Sequence, residues 1–167
     1  MSGQRWGDQV AVEVVKGIPY RMYTERPRRV EQLLDLATRW GTRPHVIKGD
    51  QVVTFGEMRQ AVANKAAELL QLGVKSGDRV FVIGWNGPEW VVNFWACLEA
   101  GAIPVLANTW WSAAELANGL AALQPVLTLA DTSAAAKMPS GSPCGPWAID
   151  TAPRVSPAVA TGETVRD

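Results

Sequence analysis

The stretch of the sequence with the clearest arrangement for chemistry is residues 79–111, RVFVIGWNGPEWVVNFWACLEAGAIPVLANTWW. An apolar run ends in a turn that contains Gly84 and Gly87, and a helix-like pattern follows the turn. A loop that binds phosphate has this layout, because the free backbone amides at the start of a helix attract an anion. The turn is therefore the first candidate for a nucleotide site.

The details of the turn argue against such a site. A dinucleotide loop needs G-x-G-x-x-G and an acidic residue on the next strand, and a Walker-type loop needs G-x-x-x-x-G-K-[ST]. Here the bulky Trp85 lies where a phosphate would approach, residues 103–107 contain no acid, and no Walker pattern occurs in the 167 residues. We interpret the turn as structural: its glycines permit the turn dihedrals, Asn86 caps the following helix and Pro88 begins it.

Histidine and cysteine supply little further chemistry. His45 is the single histidine, and Cys97 and Cys144 are far apart, so no spacing matches a metal site or a Ser-His-Asp triad. His45 lies at a predicted strand start, which favours a structural role. Cys97 lies in an apolar helical pattern, which predicts a buried thiol. Two distant cysteines form no disulfide framework and fit a reducing cytosol.

Apolar periodicity predicts the elements that precede the turn. Residues 29–40 have apolar side chains at helical spacing, and the segment HVIKGDQVVTF places Gly49-Asp50 between two β-prone runs, which is typical of a hairpin. Thr54 and Glu57 form a T-x-x-E capping box at the start of the next helix. A helix, a hairpin and a second helix are therefore expected before the turn.

Three apolar runs and the helical patterns between them predict the main sheet. The runs VFVI, IPVLA and VLTLA are continuous and not alternating, which favours strands covered on both faces, as in a parallel sheet. Ser112 and Glu115 form a second capping box, and Pro104 fits only a strand start or an unpaired strand edge. The fold class is α/β: a parallel βαβαβ sheet flanked by helices, preceded by a helix and a β-hairpin.

Composition sets the broad class. The chain has 47% apolar residues and 19% charged residues, and its 16 basic residues balance 16 acidic ones. This indicates a globular protein without the basic surface of a nucleic-acid partner. The chain has no apolar core of a secretory signal at its start and no apolar run as long as a membrane span, so a cytoplasmic location is expected. We divide the chain into an N-terminal segment (1–28), an α/β subdomain (29–131) and a proline-rich tail or linker (132–167).

Three ordered motifs resemble a known family. They are VTFGEMRQAVANKAAELLQLGVKSGDRV (53–80), NGPEW (86–90) and ACLEAGAIPVLANTWWSAAEL (96–116). Their order and spacing are similar to the N-terminal part of the adenylate-forming acyl-CoA synthetases of the AMP-binding superfamily, over residues 20–131. The Trp110-Trp111 pair looks most like a variant seen among ligases of fatty acids and related acids.

The resemblance implies a two-step ligase. A carboxylate would attack the α-phosphate of ATP to give acyl-AMP, and coenzyme A would then displace AMP, with Mg²⁺ screening the phosphates. The resemblance implies that the partner of such a parent protein is a carboxylic acid. The likeness of the Trp110-Trp111 pair to the fatty-acid ligases makes a fatty acid one candidate. ATP, Mg²⁺ and coenzyme A are expected cofactors of the parent.

The catalytic motifs of that family do not occur in these residues. The phosphate loop, of pattern T-S-G-T-T-G-x-P-K-G, is not found, and TGE near the end lacks its lysine and glycine run. The adenine segment, the ribose-binding aspartate, the hinge and the acylation lysine are absent as well. No catalytic, cofactor-binding or metal residue is therefore assigned, and the 167 residues alone are expected to bind no cofactor and to be inactive.

The adjacent tryptophans remain the one candidate for a substrate pocket. Trp110 and Trp111 follow a predicted strand and precede a helix cap, at the end of the sheet where α/β proteins bind ligands. They can line an acyl pocket or a partner surface, or they can pack beneath neighbouring parts of a larger protein. An alternative function is a non-catalytic interaction module, which would associate with itself or with partners through exposed apolar surface.

Overall fold

The structure is a computed structural model that describes residues 9–150. It begins with an antiparallel hairpin of β1 (Val10–Val15) and β2 (Ile18–Tyr23). Lys16 and Gly17 connect the strands with φ values of 52° and 81°, the positive dihedrals of a tight hairpin turn. This hairpin lies in the N-terminal segment 1–28, for which the sequence patterns above predict no strand. The Lys16-Gly17 pair between two β-prone runs is the signal that would have predicted it.

The predicted helix, hairpin and helix follow in that order. Their bounds are α1 (Gln32–Ala37) with a 3-10 turn (Thr38–Trp40), β3 (Pro44–Lys48), β4 (Gln51–Thr54) and α2 (Phe55–Gln71). Strands β3 and β4 pair in antiparallel fashion. The Thr54 side chain accepts a hydrogen bond from the Glu57 amide while the Glu57 carboxylate accepts one from the Thr54 amide, which confirms the capping box.

The main sheet is parallel, as predicted. Its first part consists of β5 (Arg79–Ile83), α3 (Pro88–Glu99), β6 (Ile103–Leu106), α4 (Ala113–Leu123) and β7 (Leu127–Ala130). Strand β5 is central and pairs with both β6 and β7. Strand β6 is an edge strand, and the amides of Ile103 and Ala107 donate to the carbonyls of Asp78, just before β5, and Val82 within it. Pro104 alternates with these donors, so its missing N–H falls on the unpaired side.

The chain after Asp131 continues the fold. A short helix α5 (Thr132–Ala135) leads to β8 (Cys144–Gly145), which pairs in parallel with β7 and completes the order β6-β5-β7-β8. The expectation of a loosely ordered tail from residue 132 is therefore wrong for residues 132–150. The contacts that order this segment are distant in sequence and leave no periodic pattern. Residues 151–167 lie outside the described part.

Strand β5 is buried on both faces, which explains its continuous apolar sequence. Val80 and Val82 point into a cluster formed with α2 and α3, which includes Leu69 and Ala96. Phe81 and Ile83 point the other way, into a cluster with Leu116 of α4. Helices thus cover the sheet on both sides, and the carboxyl ends of its strands remain as the place where loops gather.

Candidate functional site

The candidate site lies where the connections of the sheet change direction. Strand β5 connects through α3 to β6 on one side, whereas β7 connects through α5 to β8 on the other side. Two adjacent parallel strands whose connections leave in opposite directions create a crevice at their carboxyl ends, and α/β proteins bind ligands in such crevices. Here the crevice lies beyond Ile83 and Ala130.

A cavity of about 540 Å³ occupies this crevice, and we call it the switch-point cavity. Four separate parts of the chain form it: the end of β3, the β5–α3 turn, the β7–α5 turn and the segment after β8. The lining residues are Lys48, Trp85, Glu89, Asp131, Thr132, Ser133, Trp147 and Ala148. Its volume is within the range of small-molecule pockets, roughly 300–1,000 Å³.

Asp131 ties the two turns together. One carboxylate oxygen accepts from the Trp85 amide at 2.8 Å, and the other accepts from the Ala134 amide and the Ser133 hydroxyl, both at 2.8 Å. Partial burial works to raise the pKa of Asp131, but the hydrogen bonds from the Ala134 and Trp85 amides outweigh it, so this pKa lies below its ordinary value. Asp131 therefore stays ionised and holds the floor of the cavity.

The two glycines of the turn serve close packing. Neither has a left-handed φ, so the expected role in turn dihedrals is wrong. A Cβ on Gly84 would collide with the Trp147 ring, with Cζ2 only 2.5 Å away. A Cβ on Gly87 would lie 2.9 Å from the Lys48 ammonium and 3.2 Å from a Glu89 carboxylate oxygen. The space that a phosphate would need is filled by this chain's own side chains.

The start of α3 differs from the prediction in one residue. Pro88 begins the helix, as expected. The N-cap position, however, is Gly87 with an extended φ of 178°, and no side chain caps the helix. Asn86 is exposed and lies one residue before that position, so it is too far along the chain to act as the cap.

Buried polar side chains of α2 and α3 hold the 146–150 segment in place. The Lys65 ammonium donates to the Pro146 carbonyl at 2.9 Å, and the Asn93 amide donates to the Trp147 carbonyl at 3.0 Å. Lys65 also pairs with Glu68 at 2.7 Å, and its side chain is only 2% exposed. These bonds fix the backbone on either side of the Trp147 ring and so form one wall of the switch-point cavity.

The structure does not bring Trp110 and Trp111 together in one pocket. Trp111 packs into the core on the α4 side, with its ring centroid 6.4 Å from that of Phe81. Trp110 is 77% exposed and meets Trp85 edge to face at 5.1 Å. Trp85 lines the switch-point cavity, so its neighbour Trp110 lies beside the candidate site. Trp111 lies in the core on the α4 side of the sheet. A role for either residue in binding an acyl substrate stays a prediction.

The remaining candidates have structural surroundings. His45 packs against Phe55 at a centroid distance of 4.3 Å, and burial lowers its pKa. Cys97 is buried, as predicted, and desolvation raises the pKa of its thiol to about 12, which makes it a poor nucleophile. Within residues 9–150, no three His, Cys, Asp or Glu side chains are grouped to hold a metal ion.

None of the helices found between residues 9 and 150 has both the length and the apolar character to cross a membrane.

Known proteins with similar sequences are ligases and a synthase component. Enterobactin synthase component E of Escherichia coli (strain K12) is 33% identical over 101 residues, which are 59% of this chain and 19% of that protein. The 4-coumarate–CoA ligase of Humulus lupulus is 36% identical over 92 residues, which are 53% of this chain and 17% of that protein. The chain thus spans less than a fifth of the length of these two relatives.

A solved structure shows the same fold. The N-terminal subdomain of Klebsiella oxytoca NpsA, in complex with 3-hydroxybenzoyl-AMSN, superposes with a TM-score of 0.68 at 21% identity. The match covers 77% of this chain and 32% of that one. The α/β subdomain therefore has the fold of the NpsA N-terminal subdomain.

The family itself follows from a match to a family model. The model of the AMP-binding enzymes matches residues 34–163. This confirms the resemblance seen in the three sequence motifs, and because the match spans more than half of the chain, the chain belongs to the AMP-binding enzyme family.

Proposed function

We propose that the chain is the N-terminal portion of an ATP-dependent ligase that activates a carboxylic acid as acyl-AMP and transfers the acyl group to coenzyme A. One observation carries this proposal: the family match covers the whole parallel sheet, from α1 past β8. In this proposal the sheet is a scaffold, and its loops at the carboxyl ends of the strands face the reacting groups.

We propose that the described residues, 9–150, do not form a site for the cofactors of that reaction. The turn nearest in layout to a phosphate loop is filled by Trp147, Lys48 and Glu89, and the sequence contains no T-S-G-T-T-G-x-P-K-G pattern. We therefore assign ATP, Mg²⁺ and coenzyme A to parts of a longer protein. The 167 residues alone are proposed to be inactive.

The proposed substrate is an aromatic carboxylic acid. The name of one relative specifies 4-coumarate, and the similar solved structure contains 3-hydroxybenzoyl-AMSN. A fatty acid, which the Trp110-Trp111 variant suggested, is the second candidate. The proposed location is the cytoplasm.

A chimera tests whether the sheet is a ligase scaffold. The segment of the Humulus lupulus 4-coumarate–CoA ligase that aligns with this chain is replaced by the matching residues of this chain, and formation of the 4-coumarate thioester is measured. We expect activity within about 100-fold of the parent, since the replaced segment positions the catalytic groups without supplying them. A chimera with the parent's circular dichroism and a monodisperse elution profile but without activity would contradict the proposal.

An interaction module is the second candidate function. The β1–β2 hairpin leaves Val12 and Val14 more than half exposed, and Trp85 and Trp110 form an exposed aromatic pair. Such surfaces favour association. Sedimentation equilibrium tests this candidate: a concentration-dependent dimer that Val12→Lys dissociates supports it, and a monomer at all concentrations contradicts self-association.

A further inference from the structure

We propose that the switch-point cavity binds a small zwitterion with a planar ring, of the class of the aromatic α-amino acids. This inference rests on the cavity itself and does not depend on the proposed ligase function. The sequence motifs did not predict this site, because Lys48, Glu89 and Trp147 come from three distant parts of the chain.

The charges at the cavity select a zwitterion. The Lys48 ammonium and a Glu89 carboxylate oxygen lie 2.9 Å and 3.2 Å from the position that a Cβ on Gly87 would take, so the two charges are near each other. Both residues also line the cavity, so one small ligand within it can reach both. Within the described part of the chain, neither side chain forms an ion pair or a side-chain hydrogen bond. Glu89 would repel a ligand that carries only a negative charge, and Lys48 would repel a ligand that carries only a positive charge. A ligand with a carboxylate and an ammonium group satisfies both side chains.

Asp131 is the less available of the two carboxylates for the ammonium group. Both of its oxygens already accept hydrogen bonds from the two turns. Glu89 is therefore the carboxylate that pairs with the ligand's ammonium group, and Lys48 is the cation that pairs with its carboxylate.

Two indole rings select a planar ring. Trp85 lines the cavity with 49% of its surface exposed, and Trp147 lines it from the 146–150 segment. Aromatic rings pack favourably in offset or edge-to-face arrangements against such side chains. Lys65 and Asn93 hold the backbone of Trp147, so this indole is in place before a ligand arrives.

The test uses the complete 167-residue chain and three matched probes. L-phenylalanine carries both charges, 3-phenylpropionate lacks the ammonium group, and phenethylamine lacks the carboxylate. Binding is followed by calorimetry and by amide chemical shifts. We expect L-phenylalanine to bind about tenfold or more tightly than either singly charged probe, since each probe loses one charge-assisted hydrogen bond. We also expect the shifts to centre on residues 84–89, 131–133 and 147.

Variants assign the two charges. Lys48→Met should weaken L-phenylalanine binding about tenfold and leave phenethylamine binding unchanged. Glu89→Gln should also weaken L-phenylalanine binding about tenfold, and it should leave 3-phenylpropionate binding unchanged. Lys75→Met, on an exposed lysine away from the cavity, is the matched control, and circular dichroism checks that each variant is folded. The proposal is overturned if the folded chain binds no L-phenylalanine up to its solubility, if the three probes bind equally, or if both variants bind like the control.

Discussion

At position 84, any side chain would collide with the indole of Trp147. The glycine is required by a contact that spans 63 positions of sequence, and not by the dihedrals of its own turn. The local pattern favours a structural turn but does not reveal this contact, because Trp147 lies in a segment without periodicity. The same limit applies to Lys48 and Glu89, which flank Gly87 from different elements.

Gly84→Ala should therefore destabilise the protein by about 1–3 kcal/mol, because the added methyl group displaces the Trp147 ring. In a Trp147→Ala background the same substitution should have little effect, since the ring is no longer there. A double-mutant cycle by urea unfolding measures this coupling. Equal destabilisation by Gly84→Ala in both backgrounds would show that backbone conformation, and not the ring, requires the glycine.

Glu13 provides a test of pH dependence at the hairpin. A hydrogen bond from Arg26, joined by Arg28, lowers the pKa of Glu13 from 4.5 to about 2. Because the folded pKa is below the unfolded value, the stabilisation from this carboxylate is fully present above about pH 4.5 and is lost as the pH falls towards 2. An NMR titration of the Glu13 carboxyl carbon should give a midpoint well below 4.5.

The matched variants separate the partners of Glu13. Arg26→Gln should return the midpoint most of the way to 4.5, whereas Arg21→Gln should leave it unchanged, since Arg21 is an exposed residue of β2 outside this ion-pair cluster. A midpoint near 4.5 in the unmodified chain would refute the ion pair.

At the scale of elements, local signals predicted local structure. The two capping boxes and the continuous apolar strands act within a few residues, so the sequence sufficed for α2, α4, β5, β6 and β7. Strand β8 has only two residues and is defined by its pairing with β7, and helix α5 has only one turn. These elements depend on tertiary contacts, which override local propensity.

Lys65 is the side chain of α2 that best tests this dependence. Lys65→Met removes the donor to the Pro146 carbonyl and should destabilise the protein by about 1–3 kcal/mol, because the Pro146 carbonyl and the Glu68 carboxylate both lose their charged partner. Amide exchange should increase most in residues 144–150. Lys75→Met, which removes an exposed lysine, should change the stability by less than about 0.5 kcal/mol. If both variants have the same stability and exchange, the bond does not hold the segment.

At the scale of the whole molecule, the fold extends past the predicted boundary at residue 131. A chain that ends at Asp131 lacks β8 and Trp147 and leaves Lys65 and Asn93 without their carbonyl partners. We expect it to lose at least about 3 kcal/mol of stability, since several buried polar groups each lose a bond. A chain that ends at Asp150 keeps β8 and Trp147 and should unfold at a higher denaturant concentration. Equal denaturant midpoints for the two shortened chains would contradict this account.

The central claim is that these residues form the scaffold of an acid-activating ligase but not its catalytic site. The most direct test is acid-dependent exchange of pyrophosphate into ATP by the purified 167-residue chain, with 4-coumarate, benzoate and octanoate as acids and the Humulus lupulus ligase as the positive control. The account predicts no exchange above the protein-free background with any acid, while the control exchanges with 4-coumarate. Acid-dependent exchange by the chain alone would contradict it, because the catalytic groups would then have to lie within these residues.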